Sequence, residues 1–174
     1  MRKVYWLLAA PIAAVAIQAF WYAPRLPERV ASHFDAAGVP NGWSSRGELL
    51  ATFGGMFALT SLGLLGLIAV LPRIPRPLVS LPRREHWLAP ERRAATIADL
   101  RRRLAWFAFA TQVFLAGTVQ LAIEANLAPD PRLPSGPLYA LLGGYLAFTL
   151  GWIVVFYRRF AKRPAAPAPE GPEV

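Results

Sequence analysis

Four apolar runs, each long enough to cross a bilayer, constrain this chain more than any other feature. Residues 4–22 (VYWLLAAPIAAVAIQAFWY), 49–71 (LLATFGGMFALTSLGLLGLIAVL) and 138–157 (LYALLGGYLAFTLGWIVVFY) contain no formal charge, and residues 104–127 are interrupted only by Glu124. A spanning helix needs roughly 20 mainly apolar residues. In hydrocarbon the backbone polar groups must be satisfied within the segment, so such runs read as helices and not as open strands. The expected fold class is therefore all-α: an integral membrane four-helix bundle over residues 1–160, with a short outer loop between helices 1 and 2. Only 17% of the residues are charged, against about a quarter in soluble domains. The Pro/Ala-rich end, residues 161–174, lacks the periodicity needed for a core and reads as a disordered tail.

The net charge of +9 invites a nucleic-acid reading, but the placement of the charges argues against it. Arg2 and Lys3 precede the first run, nine arginines lie between the second and third, and four basic residues follow the fourth; the other side has only Arg25, Arg29, Arg46 and Arg132. The positive-inside rule then predicts that both termini and the arginine-rich loop are cytoplasmic. The expected partners are the bilayer itself and anionic headgroups at that loop, with no nucleic acid. There is no cysteine, so disulfide and thiolate chemistry are excluded. The Arg-Lys start and alanine-rich first run imitate a signal peptide. Tyr5 and Trp6 at one end and Trp21 and Tyr22 at the other instead mark a retained span with interfacial aromatic belts.

The cytoplasmic segment opens with PRIPRPLVSLPRR, whose prolines forbid regular helix and favour an extended path along the membrane surface. In the following HWLAPERRAATIADLRRRLAWF, Pro90 suits a first helical turn and Glu91 the positive end of the dipole. A helix is expected from Pro90 straight into the third span. Ile97, Leu100 and Leu104 share one face of it, to lie against headgroups or the bundle, or else to dock a cytoplasmic partner.

Small residues four apart let helices approach closely in lipid. Gly143, Ala147 and Gly151 on the fourth span, and Gly54 with Ala58 and Gly63 with Gly66 on the second, are expected packing seams. On the third span Gln112, Ala116, Gln120 and Glu124 form a polar stripe that should face the bundle interior or a water-filled cavity. Gln18 of the first span lies at a depth comparable to Glu124.

Between the first two spans runs LPERVASHFDAAGVPNGWSSR, residues 26–46. Gly38, Pro40 and the pair Asn41-Gly42 signal a reversal, Ser45 with Glu48 forms a capping box for the second helix, and Trp43 suits the headgroup level. The pattern Leu26-Pro27, Val30, His33-Phe34, Gly38, Asn41, Trp43, Ser45-Arg46 resembles L-P-x-x-I-P-x-H-F-x-x-x-G-x-x-D-x-W-x-S-K. That motif belongs to a bacterial membrane-domain family of unknown function, also found at the N-terminus of immunity proteins against the sporulation-delaying-protein toxin. The downstream HWLAPERR is similar to a cytoplasmic segment of many members. Ala31 replaces the usual proline and is expected to loosen the loop, Asn41 replaces aspartate, and Arg46 replaces lysine while keeping its charge. The additional C-terminal spans usual in the immunity proteins have no counterpart here. The resemblance implies a multi-pass protein of the bacterial cytoplasmic (inner) membrane.

The candidate outer-face site is His33, Phe34, Gly38, Asn41, Trp43, Gln120 and Glu124, with His33 hydrogen-bonded to Glu124 or to loop carbonyls so that the loop forms a lid. The candidate cytoplasmic contact is Trp87, Pro90, Glu91, Arg92 and Arg93. Zinc needs three or four protein ligands; His33, Asp35, Glu124 and Asp130 have no recognised ligand spacing, and no metal or cofactor is expected. No H-E-x-x-H helix, G-x-S-x-G elbow or phosphate-binding glycine loop occurs, so a non-enzymatic protein is expected. Two functions follow: recognition of a peptide, lipid or toxin at the outer face, in an immunity or signalling-like role, or a small transport or membrane-complex subunit using the polar stripe.

Overall fold

The computed structural model describes residues 2–161, with side chains from Leu8 onward; the side chains of Tyr5 and Trp6 and the tail beyond Ala161 lie outside the described residues. Four long helices, α1 (Arg2–Tyr22), α2 (Arg46–Val70), α4 (Pro90–Leu127) and α5 (Ser135–Ala161), make up most of the fold. A one-turn helix, α3 (Arg84–Trp87), and two strands, β1 (Arg29–Phe34) and β2 (Pro40–Ser45), fill the connections. Helices α2, α4 and α5 are long and apolar enough to cross a membrane; the described apolar stretch of α1, Leu8–Tyr22, is shorter.

Helix α4 starts at Pro90, where the missing N–H costs nothing, and runs 38 residues without a break. At 1.5 Å per residue that is roughly 57 Å, nearly twice a bilayer core. The arginines of residues 92–103 occupy its N-terminal turns, so the stretch apolar enough to cross a bilayer is the C-terminal part. Helices α1, α2 and α5 each pack along α4, which serves as a common hub.

Helix α5 meets α4 through aromatic rings. Tyr145 stacks on Phe114 at 4.6 Å and Trp152 packs on Phe107 at 5.2 Å, while Trp152 Nε1 donates to the Arg103 carbonyl at 3.2 Å. The expected small-residue seams carry none of this packing: a Cβ added at Gly54, Gly63, Gly66, Gly143 or Gly151 would meet nothing within 4 Å. Rings bury more area than a glycine groove releases, so the aromatic flank of α5 takes the contact. The glycine that does permit close approach is Gly117, where a Cβ would press on Leu141.

The all-α expectation is corrected at the 26–46 segment, a β-hairpin in which β1 and β2 pair antiparallel, Val30 opposite Ser44 and Ala31 opposite Trp43, with irregular register around His33. The chain reverses at Asp35–Val39, so of the residues expected to make the reversal Gly38 lies in the turn, while Pro40, Asn41 and Gly42 already belong to β2. Asp35 Oδ1 accepts from the Ala37 and Val39 amides, both at 2.9 Å, and Gly38 takes φ +76°, a conformation that suits glycine. Gly42 lies inside β2 for another reason: the His33 ring covers it so closely that a Cβ would sit 2.9 Å from Nδ1. The Ser45–Glu48 capping box forms as expected, with both reciprocal hydrogen bonds present.

At the arginine-rich end the expected extended proline path is corrected as well. Residues Leu71–Arg73 and Arg76–Leu78 form 3-10 turns, in which proline is well placed at the first positions. The segment folds over α4, and Leu71, Val79, Leu81 and Leu88 form a core with Ile97, Leu100 and Phe160. The apolar face of the α4 extension is thus covered by the chain itself.

Candidate functional site

The hairpin is fastened to the helices at three points. Its inner face, Leu26 and Val30, packs against Leu49 of α2 and Val119 and Ile123 of α4. Its tip meets the α4–α5 connection: Leu133 N donates to the Gly38 carbonyl at 2.9 Å, and Tyr139 Oη donates to the Ala36 carbonyl at 3.3 Å. Between them lies Asn126, 2% exposed. Its Oδ1 accepts from the Ala31 amide at 2.6 Å and its Nδ2 donates to the Ala31 carbonyl at 2.9 Å, so one side chain substitutes for a neighbouring strand. Ala31, expected to loosen the loop, pins it instead, because unlike proline it has an N–H to offer.

That pinning determines the other edge. In an antiparallel pair, residues opposite each other turn their N–H and C=O groups either both toward the partner or both away. Ala31 turns its pair away from β2 to Asn126, so Trp43 opposite turns its own pair outward, where no third strand lies among the described residues. Trp43 is 46% exposed. The Arg29 guanidinium lies 5.3 Å from its ring centroid, and the two flank a shallow concavity of about 380 Å³ with Glu28, Ser44 and Ser45.

The predicted outer-face residues therefore separate. Phe34, opposite Pro40, and exposed Asn41 belong to the hairpin with Trp43, while Gly38 is buried at its docked tip. Glu124 and Gln120 belong to a different cluster. Gln18 Nε2 donates to Gln120 Oε1 at 2.9 Å, and Gln120 Nε2 donates to Glu124 at 2.7 Å and to Tyr22 Oη at 3.1 Å, which ties α1 to α4. The expected His33–Glu124 hydrogen bond is not formed: His33 is exposed and its Nδ1 lies 3.1 Å from Ser32 Oγ. The strand pleat turns His33 over Gly42, away from α4. Further along the stripe, Gln112 reaches α2 instead, donating to Ser61 Oγ at 2.6 Å. Among the described residues no three His, Asp or Glu side chains are grouped to hold a metal.

The predicted cytoplasmic contact splits similarly. Trp87 turns inward, donating from Nε1 to the Phe160 carbonyl at 2.8 Å, with Arg159 stacked 4.5 Å from its ring. Arg93 Nη2 donates to the Pro72 and Ile74 carbonyls at 3.0 and 3.1 Å. Pro90, Glu91 and Arg92 are exposed, and Arg92 donates to His86 Nδ1 at 2.8 Å. Burial and the adjacent Arg92 and Arg83 charges hold the His86 pKa below its ordinary value.

Asn126 was missed in the sequence reading. Its position two residues beyond Glu124, near the end of an apolar run, was the available signal; its partner lies 95 residues away. A domain of unknown function, DUF1648, matches residues 7–57, a span that contains the whole hairpin and less than a third of the chain. Neither a curated protein nor a solved structure matches the chain significantly.

Proposed function

We propose that this is a non-enzymatic membrane protein, with both termini and the arginine-rich end in the cytoplasm, whose hairpin recognises an extended peptide at the outer face. The open edge of β2 beside Trp43 carries the reading. An extended segment adds to such an edge by main-chain hydrogen bonds, with side-chain selection by neighbouring pockets, and the concavity between Arg29 and Trp43 supplies one. Fastening at Asn126, Gly38 and the Val30 face keeps the edge preorganised, which lowers the entropic cost of binding. A secreted peptide toxin is one such ligand, in line with the resemblance to toxin immunity proteins; a cytoplasmic readout would pass through α4.

The test is a photo-crosslinking amino acid at position 43 in intact cells of the native host. A crosslinked peptide that disappears in the Asn126→Ala background supports the reading; adducts to lipid alone would sink it. Deletion of the gene should also sensitise the host to the crosslinked peptide, and unchanged survival would remove immunity as the role.

A further inference from the structure

Opposite the arginine-rich end, where α1 runs out and α2 begins, a groove of about 630 Å³ is lined by Phe20, Trp21, Ala23, Pro24, Arg25 and Arg46. No carboxylate lines it. Among the described residues neither Arg25 nor Arg46 is ion-paired; each gives a nitrogen to a main-chain carbonyl instead. Arg25 Nη1 donates to the Trp21 carbonyl in the last turn of α1, and its guanidinium lies 3.9 Å from the Trp21 ring centroid. Arg46 Nη1 donates to the Leu26 carbonyl at 2.9 Å. These bonds fix both charged groups without neutralising them. The carboxylates nearest in sequence are turned to other work: Glu48 accepts from the Ser45 amide at 2.9 Å, and Glu28 lines the separate concavity beside Trp43.

The groove is polarised along the helix axis. Phe20 and Trp21 belong to the last turn of α1, which ends at Tyr22, and from there back to Leu8 the helix carries no charge. Arg25 follows the helix end, and Arg46 opens α2 beside the base of the hairpin. The apolar wall therefore faces the spanning part of the helices, and the arginines stand on the side toward water. Phe20 is 85% and Trp21 56% exposed, as suits rings at the level where hydrocarbon gives way to headgroups.

We propose that the groove is a site for one anionic phospholipid of the outer leaflet, its phosphate between Arg25 and Arg46 and the upper part of an acyl chain along Phe20. Guanidinium groups pair with phosphate oxygens by two parallel hydrogen bonds. Two guanidinium groups without a carboxylate favour a headgroup of net negative charge over a zwitterionic one, whose ammonium would be brought up to like charges. The bound phosphate would join the end of α1 to the start of α2 at the level where the hairpin emerges. The site rests on the proposed membrane placement but not on peptide recognition at the Trp43 edge.

The full chain, purified in a neutral detergent and equilibrated with mixed phosphatidylglycerol and phosphatidylcholine micelles, is to be examined by native mass spectrometry. Wild type should retain one phosphatidylglycerol in preference to phosphatidylcholine. Arg25→Gln with Arg46→Gln should lower retention by about fivefold for each charge removed. Because those side chains also hold main-chain carbonyls, Phe20→Glu provides a second variant: at so exposed a position it leaves the fold and both arginines intact, sets a carboxylate in the groove and should abolish retention. Arg132→Gln removes one charge elsewhere on the same face, where Arg132 is paired with Asp130, and should leave retention unchanged. Undiminished retention by Phe20→Glu would overturn the site, as would equal retention of the two lipids. A loss in Arg132→Gln as large as that in Arg25→Gln alone would reduce the effect to surface charge and overturn it too. Displacement by millimolar inorganic phosphate would transfer the site to a free anion and overturn the lipid assignment. A chain that purifies without detergent would instead refute the membrane placement itself, and the site with it.

Discussion

Asn126 holds both main-chain groups of Ala31, accepting its N–H at 2.6 Å and donating to its C=O at 2.9 Å, and thereby joins the end of α4 to the middle of β1. Ala31 is fully buried, so neither group can turn to water if the side chain is lost. Asn126→Leu should cost about 2–4 kcal/mol, because two buried main-chain groups each lose their partner. Asn126→Asp should not rescue it, since a carboxylate accepts from Ala31 but faces the Ala31 and Ala122 carbonyls with no donor. Thermal unfolding in detergent measures the loss; a change below about 0.5 kcal/mol would mean that β2 alone holds β1.

Gly38 is the second fastening. Its φ of +76° disfavours any side chain by about 1–2 kcal/mol, and a Cβ there would collide with the Leu133 carbonyl oxygen. Gly38→Ala should release the tip without unfolding the helices. Hydrogen exchange should rise at residues 35–39 and 133, and remain unchanged in α4. Uniform exchange across the chain would show that the hairpin and the helices unfold together.

The glutamine stripe is spent on helix contacts, and its members differ in consequence. Gln112→Leu removes one interhelical hydrogen bond, worth about 0.6 kcal/mol in a membrane protein, together with a buried acceptor that has no partner. Ser61 retains its bond to the Phe57 carbonyl at 2.7 Å. Stability should stay within about 1 kcal/mol of wild type. Gln120→Leu should cost more, since it disconnects Gln18, Tyr22 and Glu124 together. Combined with Glu124→Leu it should leave ion and solute flux in liposomes at the wild-type level; a measurable drop would restore the transport reading.

His86 makes the arginine-rich end sensitive to acid. Arg92 donates to its Nδ1, which requires the neutral ring, and burial together with Arg92 and Arg83 lowers its pKa from 6.5. The unfolded chain then binds a proton more readily than the folded one. Stability is complete above pH 6.5 and declines as pH falls from there through the folded pKa. His86→Gln should remove this part of the slope in a melting-temperature series from pH 8 to pH 5. An identical slope in the variant would assign the titration to other groups.

Much of the fold follows from one-dimensional signals. The apolar runs place α2, α4 and α5; Pro90 places the start of α4, and Ser45 with Glu48 places the start of α2. These are local effects of length, first-turn chemistry and capping, and they act wherever the chain goes. The hairpin was less legible because its strands are short and rich in proline, glycine and serine, with little alternation of apolar and polar residues. Asn41-Gly42 carried a strong turn signal, but the Asp35 carboxylate made the reversal earlier and left Gly42 to admit the His33 ring.

The candidate site was legible in its residue types and not in its partners. Trp43 and Asn41 are exposed on the hairpin, whereas His33 and Glu124 have separate neighbours, and Asn126 matters only because Ala31 arrives beside it. The sequence by itself determined the long helices and the asymmetry of charge, because hydrophobicity, length and capping are properties of a segment. Only the tertiary structure decided that α4 is the hub, that aromatic rings displace the glycine seams, and that Ala31 pairs with Asn126. Those outcomes depend on which surfaces bury the most area and which main-chain groups are left without water, and both are settled when distant segments meet.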